Sequence, residues 1–210
     1  MINEYLNHGD LHEYLTSQRM KSIDLPDFLL IAMQIVSGMI YLTEQDILHN
    51  DLAARNILLS DNFNVKITNI ARYRRKYHFD YYKLAHRCLP VRWMSIESLL
   101  SGIYSQMSDV WSFGVLLWEI FAHGQQPYSG QTNPEVIEMI RDRKLLVCPM
   151  NCPKQIYVLM SSCWQEISEQ RPSFHELMTC LRQIEDKSTT TTSLIDDELI
   201  STRNSIQLAN

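Results

Sequence analysis

The densest run of chemistry-bearing side chains is His49-Asn50-Asp51-Leu52-Ala53-Ala54-Arg55-Asn56, which gathers an imidazole, a carboxylate, a guanidinium and a carboxamide in one short segment. A carboxylate held beside a reacting hydroxyl can take its proton, so Asp51 is a candidate for acid–base work. Equally, it can do no more than accept backbone N–H groups of its own loop. Cys148 and Cys152 invite a metal reading, but no second Cys/His pair stands near them in the chain, and reduced structural thiols are the plainer account. Arg72, Arg74, Arg75 and Lys76 form a basic run ahead of Tyr77 that either faces solvent or pairs with phosphate. His8, His12, His78, His86, His123 and His175 show no partner pattern, and Met33, Met39 and Met139 at helical positions read as core filler.

These residues need elements to hold them. Met1 to Leu6 reads as the end of a strand, followed by a turn in which Asp10 can cap a short helix through Leu11, Tyr14 and Leu15. Thr16 to Asp24 reads as polar linker. Phe28, Ala32, Ile35, Met39 and Leu42 recur at helical spacing behind Pro26, which predicts an amphipathic helix leading into the His49 segment. Beyond that segment, Ile57-Leu58-Leu59 and Val65-Lys66-Ile67 flank Ser60-Asp61-Asn62, a hairpin pattern. From Asn69 to Glu97 no period holds, and a loop so long is usually functional or mobile. A helix starting near Ser108 is apolar on nearly all sides from Val110 to Phe121, the pattern of a fully buried helix. Pro134–Arg141, Lys154–Trp164 and Ser173–Ile184 predict three more helices.

Composition bounds what such a site can serve. With 210 residues there is room for one sizeable core, or one core and a tail. Nineteen Lys+Arg against 24 Asp+Glu leave no basic footprint, so no nucleic-acid partner is expected. The apolar run Val110 to Phe121 carries Glu119 and is too short to span a bilayer, and Met1-Ile2-Asn3-Glu4-Tyr5 lacks the pattern of a signal peptide. Five scattered cysteines suit a reducing, cytosolic setting. After Asp186 the chain turns to Lys-Ser-Thr-Thr-Thr-Thr-Ser, with too little apolar surface to offset its ordering entropy, so residues 186–210 are expected to form a disordered Ser/Thr-rich tail.

The His49–Asn56 run resembles the H-R-D-L-x-x-x-N loop of protein kinases, and its Ala-Ala-Arg insert the tyrosine-specific form. Leu89-Pro90-Val91-Arg92-Trp93-Met94 is similar to the peptide-docking strip of tyrosine kinases, Asp109-Val110-Trp111-Ser112-Phe113-Gly114 to their central buried helix, and Arg171-Pro172-Ser173-Phe174 to the start of their last helix. Tyr5–Glu13, Pro134–Ile140, the Cys148/Cys152 pair and Cys163–Ile167 resemble the Ror receptor tyrosine kinases, with the muscle-specific and neurotrophin receptor kinases as near neighbours. The resemblance implies a mainly α, kinase-like fold over residues 1–185: the C-terminal large lobe, a helical bundle with a short β ribbon at the cleft. It implies Asp51 as base, Arg55 as the group that places a tyrosine hydroxyl, and Asn56 as a magnesium ligand. Glu4 and Leu6 would lie in the hinge facing adenine, with Leu58 as the apolar floor beneath it. His49, Glu97, Asp109 and Arg171 take structural roles, Glu97 and Arg171 as a buried ion pair and Asp109 tying down the His49 loop. Tyr77, Tyr81 and Tyr82 match an activation-loop triplet and are the regulatory phosphotyrosine candidates.

Four departures shape the functional expectation. Asn69-Ile70-Ala71 stands where Asp-Phe-Gly would bring the metal carboxylate, so Asn69 is a degenerate metal position. Asn50 replaces the Arg that meets an activation-loop phosphate. Ser95-Ile96-Glu97 replaces Pro-Pro-Glu. No Gly-rich loop, nucleotide lysine or partnering Glu precedes what resembles the hinge, so half of the ATP site is expected to be missing. ATP and magnesium follow from the resemblance, with weakened binding expected here. The expected function is that of a receptor tyrosine kinase fragment acting as a pseudokinase scaffold, phosphorylated in trans by an upstream tyrosine kinase and read by SH2-type modules, with the phosphotyrosines turned outward. The expected location is the cytoplasmic side of the plasma membrane as part of a receptor, the chain itself being cytosolic. A weakly active tyrosine kinase and a nucleotide-independent interaction module remain the alternatives.

Overall fold

Asp10 starts helix α1 (Leu11–Thr16) by accepting the Glu13 amide N–H at 3.0 Å, and Asp24 starts helix α2 (Leu25–Glu44) through the Asp27 N–H at 3.2 Å. The computed structural model that shows this describes residues 8–17, 24–60, 62–69, 80–84 and 87–188. Helix α2 is long and apolar enough in composition to cross a bilayer. Its Phe28, Leu29, Ile31, Ala32, Ile35, Val36, Met39 and Leu42 are instead buried in the core.

Strands β1 (Ile57–Leu59) and β2 (Val65–Ile67) pair antiparallel with Ile57 opposite Ile67. Gln34 of α2 clasps this ribbon at both polar ends, donating to Phe63 O at 2.7 Å and accepting from Val65 N–H at 3.1 Å. The stretch from 69 to 97, read as aperiodic, holds a second antiparallel pair, β3 (Tyr82–Leu84) and β4 (Arg87–Leu89), a 3-10 turn at Val91–Trp93, and the start of α3 (Ile96–Ser101). Such elements are too short for either period to register in sequence.

Helix α4 (Gln106–Phe121) is the axis of the lobe. Ser105 and Ser108 cap it reciprocally, and every residue from Ser108 to Phe121 is buried. Helices α5 (Asn133–Arg141) and α6 (Lys154–Cys163) follow, with a Thr132/Glu135 capping box on α5. The last helix, α7, covers residues 174–188, so Asp186, Lys187 and Ser188, expected to begin the tail, still belong to it. Residues 189–210 lie outside the described residues.

Where α4 meets α6 the backbone approach is close enough to require glycine. A Cβ at Gly114 would stand 2.7 Å from Cys163 Cβ and 2.7 Å from Trp164 Nε1, neither of which can swing away. Gly114→Ala gains about 1 kcal/mol of helix propensity but overpacks this contact. A net loss of about 1–2 kcal/mol is expected in urea unfolding, and unchanged stability would show that the two helices separate freely.

Candidate active site

The loop from His49 to Asn56 runs between α2 and β1 and hangs from α4 at two points. Near the start of α4, buried Asp109 accepts His49 N–H at 2.8 Å and Asn50 N–H at 2.9 Å, one on each carboxylate oxygen. Near its end, buried Glu119 accepts Ala54 N–H at 3.0 Å and Trp93 Nε1–H at 2.8 Å. Burial pushes the Asp109 carboxyl up to about 6 and that of Glu119 up to about 7, against the pull of these donors. Sequence reasoning noticed Glu119 only as a charge in an apolar run. A lone carboxylate on an all-round apolar helix was the available signal, since a buried acid needs partners.

His49 is held neutral. Its Nδ1 accepts Asp51 N–H at 3.2 Å, its Nε2 faces Thr68 O at 3.2 Å, and burial lowers its pKa to about 4. Asp51 is buried among donors: Arg55 Nη2 on one oxygen, and on the other Asn56 Nδ2 at 2.9 Å and the Tyr81 hydroxyl at 2.5 Å. Burial raises the Asp51 carboxyl, while Arg55 and these donors oppose that rise. Burial would lower Arg55, yet the neighbouring acids hold it above its ordinary value. Its guanidinium lies between two rings, 4.8 Å from the centre of Tyr81 and 4.2 Å from that of Trp93.

Unmodified Tyr81 thus lies inward, against Asp51. It is 8% exposed, its hydroxyl also accepts Arg55 Nε–H at 3.2 Å, and burial pushes its pKa up to about 12. The preceding Asp80 reinforces the pose through Arg55 Nη1 at 3.4 Å and Gln126 Nε2 at 3.0 Å. The physical reason is that Arg55, sandwiched and doubly paired, offers the tyrosine a hydrogen-bonded slot that solvent does not match. Tyr82 is half-buried on β3, and Tyr77 lies outside the described residues. Loop 49–56, Asp80 and Tyr81 together make a pocket in which a tyrosine hydroxyl meets a carboxylate.

Residues 1–181 match the family described as protein tyrosine and serine/threonine kinase. The chain belongs to this kinase family. Its described residues form the large lobe of a kinase, mainly α, with the β1–β2 ribbon beside the loop. The chain is 48% identical over 186 residues to the tyrosine-protein kinase transmembrane receptor Ror of Drosophila melanogaster, covering 87% of this chain and 27% of that protein. It is 41% identical over 199 residues to the NT-3 growth factor receptor of Gallus gallus, covering 88% and 24%, and equally so to that of Mus musculus. The chain thus spans about a quarter of the length of these curated relatives.

The kinase family uses ATP and magnesium, and the donor set here fits the metal poorly. Asn56 Nδ2 is committed to Asp51, through its main-chain oxygen at 2.7 Å and its carboxylate at 2.9 Å. Its remaining oxygen, the one a cation would need, accepts Asn69 Nδ2 at 3.2 Å. Asn69 brings no negative charge, whereas magnesium is usually held by one or two carboxylates. Asn50 stands at a positive φ of 62°, and its buried Oδ1 has no hydrogen-bond partner among the described residues. Leu58 is half-buried on β1 between buried Ile57 and Leu59, on the face turned from the core; Glu4 and Leu6 lie outside the described residues. At the far side of the lobe Arg171 forks onto Glu97, with both N–O distances 2.7 Å.

Proposed function

We propose that the chain is part of a receptor-type tyrosine kinase domain that works as a pseudokinase scaffold on the cytoplasmic side of the plasma membrane. The observation that carries this reading is the direct Asn69–Asn56 amide contact at 3.2 Å, which engages one lone pair of the oxygen magnesium would need and supplies no charge in exchange. Metal-assisted charge stabilisation is a main component of phosphoryl transfer, so its loss removes most of the rate. Tyr81 in the Asp51 pocket supports it further, because a protein substrate would have to displace this residue first. An upstream tyrosine kinase then supplies phosphate to the tyrosine-rich segment, and SH2-type modules read it.

A specific observation favours a second reading, a weakly active tyrosine kinase. Asp51, Arg55 and Asn56 stand within hydrogen-bond reach of one another and of a tyrosine hydroxyl. One experiment separates the two. Thermal unfolding of the chain with ATP and magnesium should leave the midpoint unmoved, because stabilisation grows as RT ln(1 + [L]/Kd). In the same preparation an added active tyrosine kinase should label Tyr82 well before Tyr81, read by mass spectrometry, and labelling should raise SH2-domain binding. A saturable midpoint rise at sub-millimolar ATP, or SH2 binding that phosphorylation leaves unchanged, would sink the scaffold.

A further inference from the structure

The two asparagines at the degenerate metal position are ordered by their hydrogen-bond chemistry. Asp51 offers Asn56 two acceptors, its main-chain oxygen at 2.7 Å and its Oδ2 at 2.9 Å, and neither can donate to a carboxamide oxygen. Asn56 must therefore point Nδ2 at Asp51 and Oδ1 away from it. Away from it stands Asn69, whose Nδ2 lies 3.2 Å from Asn56 Oδ1 and 3.1 Å from Thr68 Oγ1. Thr68 is itself sewn to the same residue, donating its N–H at 2.9 Å and its hydroxyl at 3.0 Å to Asn56 O. An Asp at 69 would set carboxylate oxygen against carboxamide oxygen, an arrangement only a cation or a turned-round Asn56 can relieve.

We propose that Asn69 stands in for the divalent cation: its carboxamide bridges the end of β2 to Asn56, so the loop keeps its shape without metal and Asn56 keeps its donor turned toward Asp51. This deepens the scaffold reading by naming what replaces the metal. The links are continuous, from Asn69 Nδ2 to Asn56 Oδ1, and from Asn56 Nδ2 to the Asp51 oxygen that also accepts the Tyr81 hydroxyl. A left-handed φ of 59° at position 69 suits the exchange, since Asn adopts that region more readily than most residues. The bridge predicts an inversion of metal dependence. With Asn the tie is complete in a chelator; with Asp it is complete only when a cation sits between the oxygens.

The test compares the full chain with Asn69→Asp and Asn69→Ala, without nucleotide, in chelator and in millimolar magnesium. The wild-type unfolding midpoint should be the same in both media. Asn69→Asp should melt about 2–6 °C lower in chelator, the equivalent of one lost half-buried hydrogen bond and its stranded partner, and recover in magnesium. Asn69→Ala should be low in both. Hydrogen exchange localises the effect: peptides covering 50–56 and 67–69 should exchange faster in Asn69→Asp and be protected again by magnesium, with the α6–α7 peptides unchanged. An Asn69→Asp protein as stable as wild type in chelator overturns the proposal. So does one that folds in neither medium, since the cation should then replace the amide, and so does magnesium protection of residues 50–56 in the wild type. Both readings start from the Asn69–Asn56 contact, but none of these readouts involves nucleotide or phosphotyrosine, so failure of the bridge is told apart from failure of the scaffold, which the ATP titration and SH2 binding read.

Discussion

Arg171→Met should cost about 3–5 kcal/mol of stability, enough to threaten folding of a lobe this size. The Arg171 side chain is fully buried and Glu97 is 19% exposed, so the carboxylate would be left largely desolvated with no counter-charge. The loss reaches past the ion pair. The same guanidinium donates to Gln165 O at 2.8 Å and Met107 O at 2.9 Å and lies 5.1 Å from the centre of the Trp111 ring. One side chain thus joins α3, the start of α4 and the turn before α7. Arg171→Lys should recover only a minor part, because an ammonium is a point donor and cannot supply the fork plus two carbonyl contacts. Burial pushes the Glu97 carboxyl up, but Arg171 and the helix-start donors hold it below its ordinary value, so the pair stays ionised through neutral pH. A urea midpoint for Arg171→Met equivalent to less than about 1 kcal/mol of loss would show that neither the fork onto Glu97 nor the carbonyl contacts of this side chain hold α3 in place.

Glu119 should give the lobe a stability that falls as pH rises. Its carboxyl titrates at about 7 in the fold against 4.5 ordinarily, so between these values the folded chain keeps a proton that the unfolded chain has released. The sign is opposite to that of His49, which titrates at about 4 in the fold against 6.5 and makes the protein lose stability as pH falls through that window. The two slopes oppose each other in the wild type, and Asp109 adds to that of Glu119, so the total curve hides the effect. Glu119→Gln exposes it, since a carboxamide still accepts Ala54 N–H and Trp93 Nε1–H but does not titrate. Over pH 4.5 to 7 the stability difference between the two proteins should move by on the order of 3 kcal/mol in favour of the variant. Parallel curves would mean that Glu119 is ionised throughout, with Arg55 compensating for its burial.

Much of the architecture is legible in the chain because long elements carry their own signal. Helix α2 shows an apolar stripe, and α4 shows none because it is buried on all sides. The short pieces are silent: three-residue strands such as β3 and β4 contain too few alternations to separate from loop. The site is legible in the same uneven way. Asp51, Arg55 and Asn56 stand in one segment, and substitution of Asn69 is visible at once. What sequence hides is pairing at a distance. Glu119 meets Ala54 across 65 residues and Trp93 across 26, and neither partner is marked by its type. Three tyrosines in one segment look equivalent until Arg55 is seen clamped between Trp93 and Tyr81, which makes the inward slot specific to one of them. The direction of the Asn56 amide follows from Asp51, and only the folded loop reveals that its free oxygen ends on Asn69.

The two carboxylates of α4 carry a consequence for how this lobe can change over evolutionary time. The loop is suspended at residues 49–50 and again at 54, from a helix whose other faces are sealed inside the molecule. None of those attachments passes through a nucleotide, a cation or a substrate. Were selection on chemistry to relax, a residue such as Asn50 could change while these attachments still hold the contour of the cleft. A lineage that lost turnover in this way would keep the same outline at the cleft, because its supports lie in α4 rather than in anything the cleft binds.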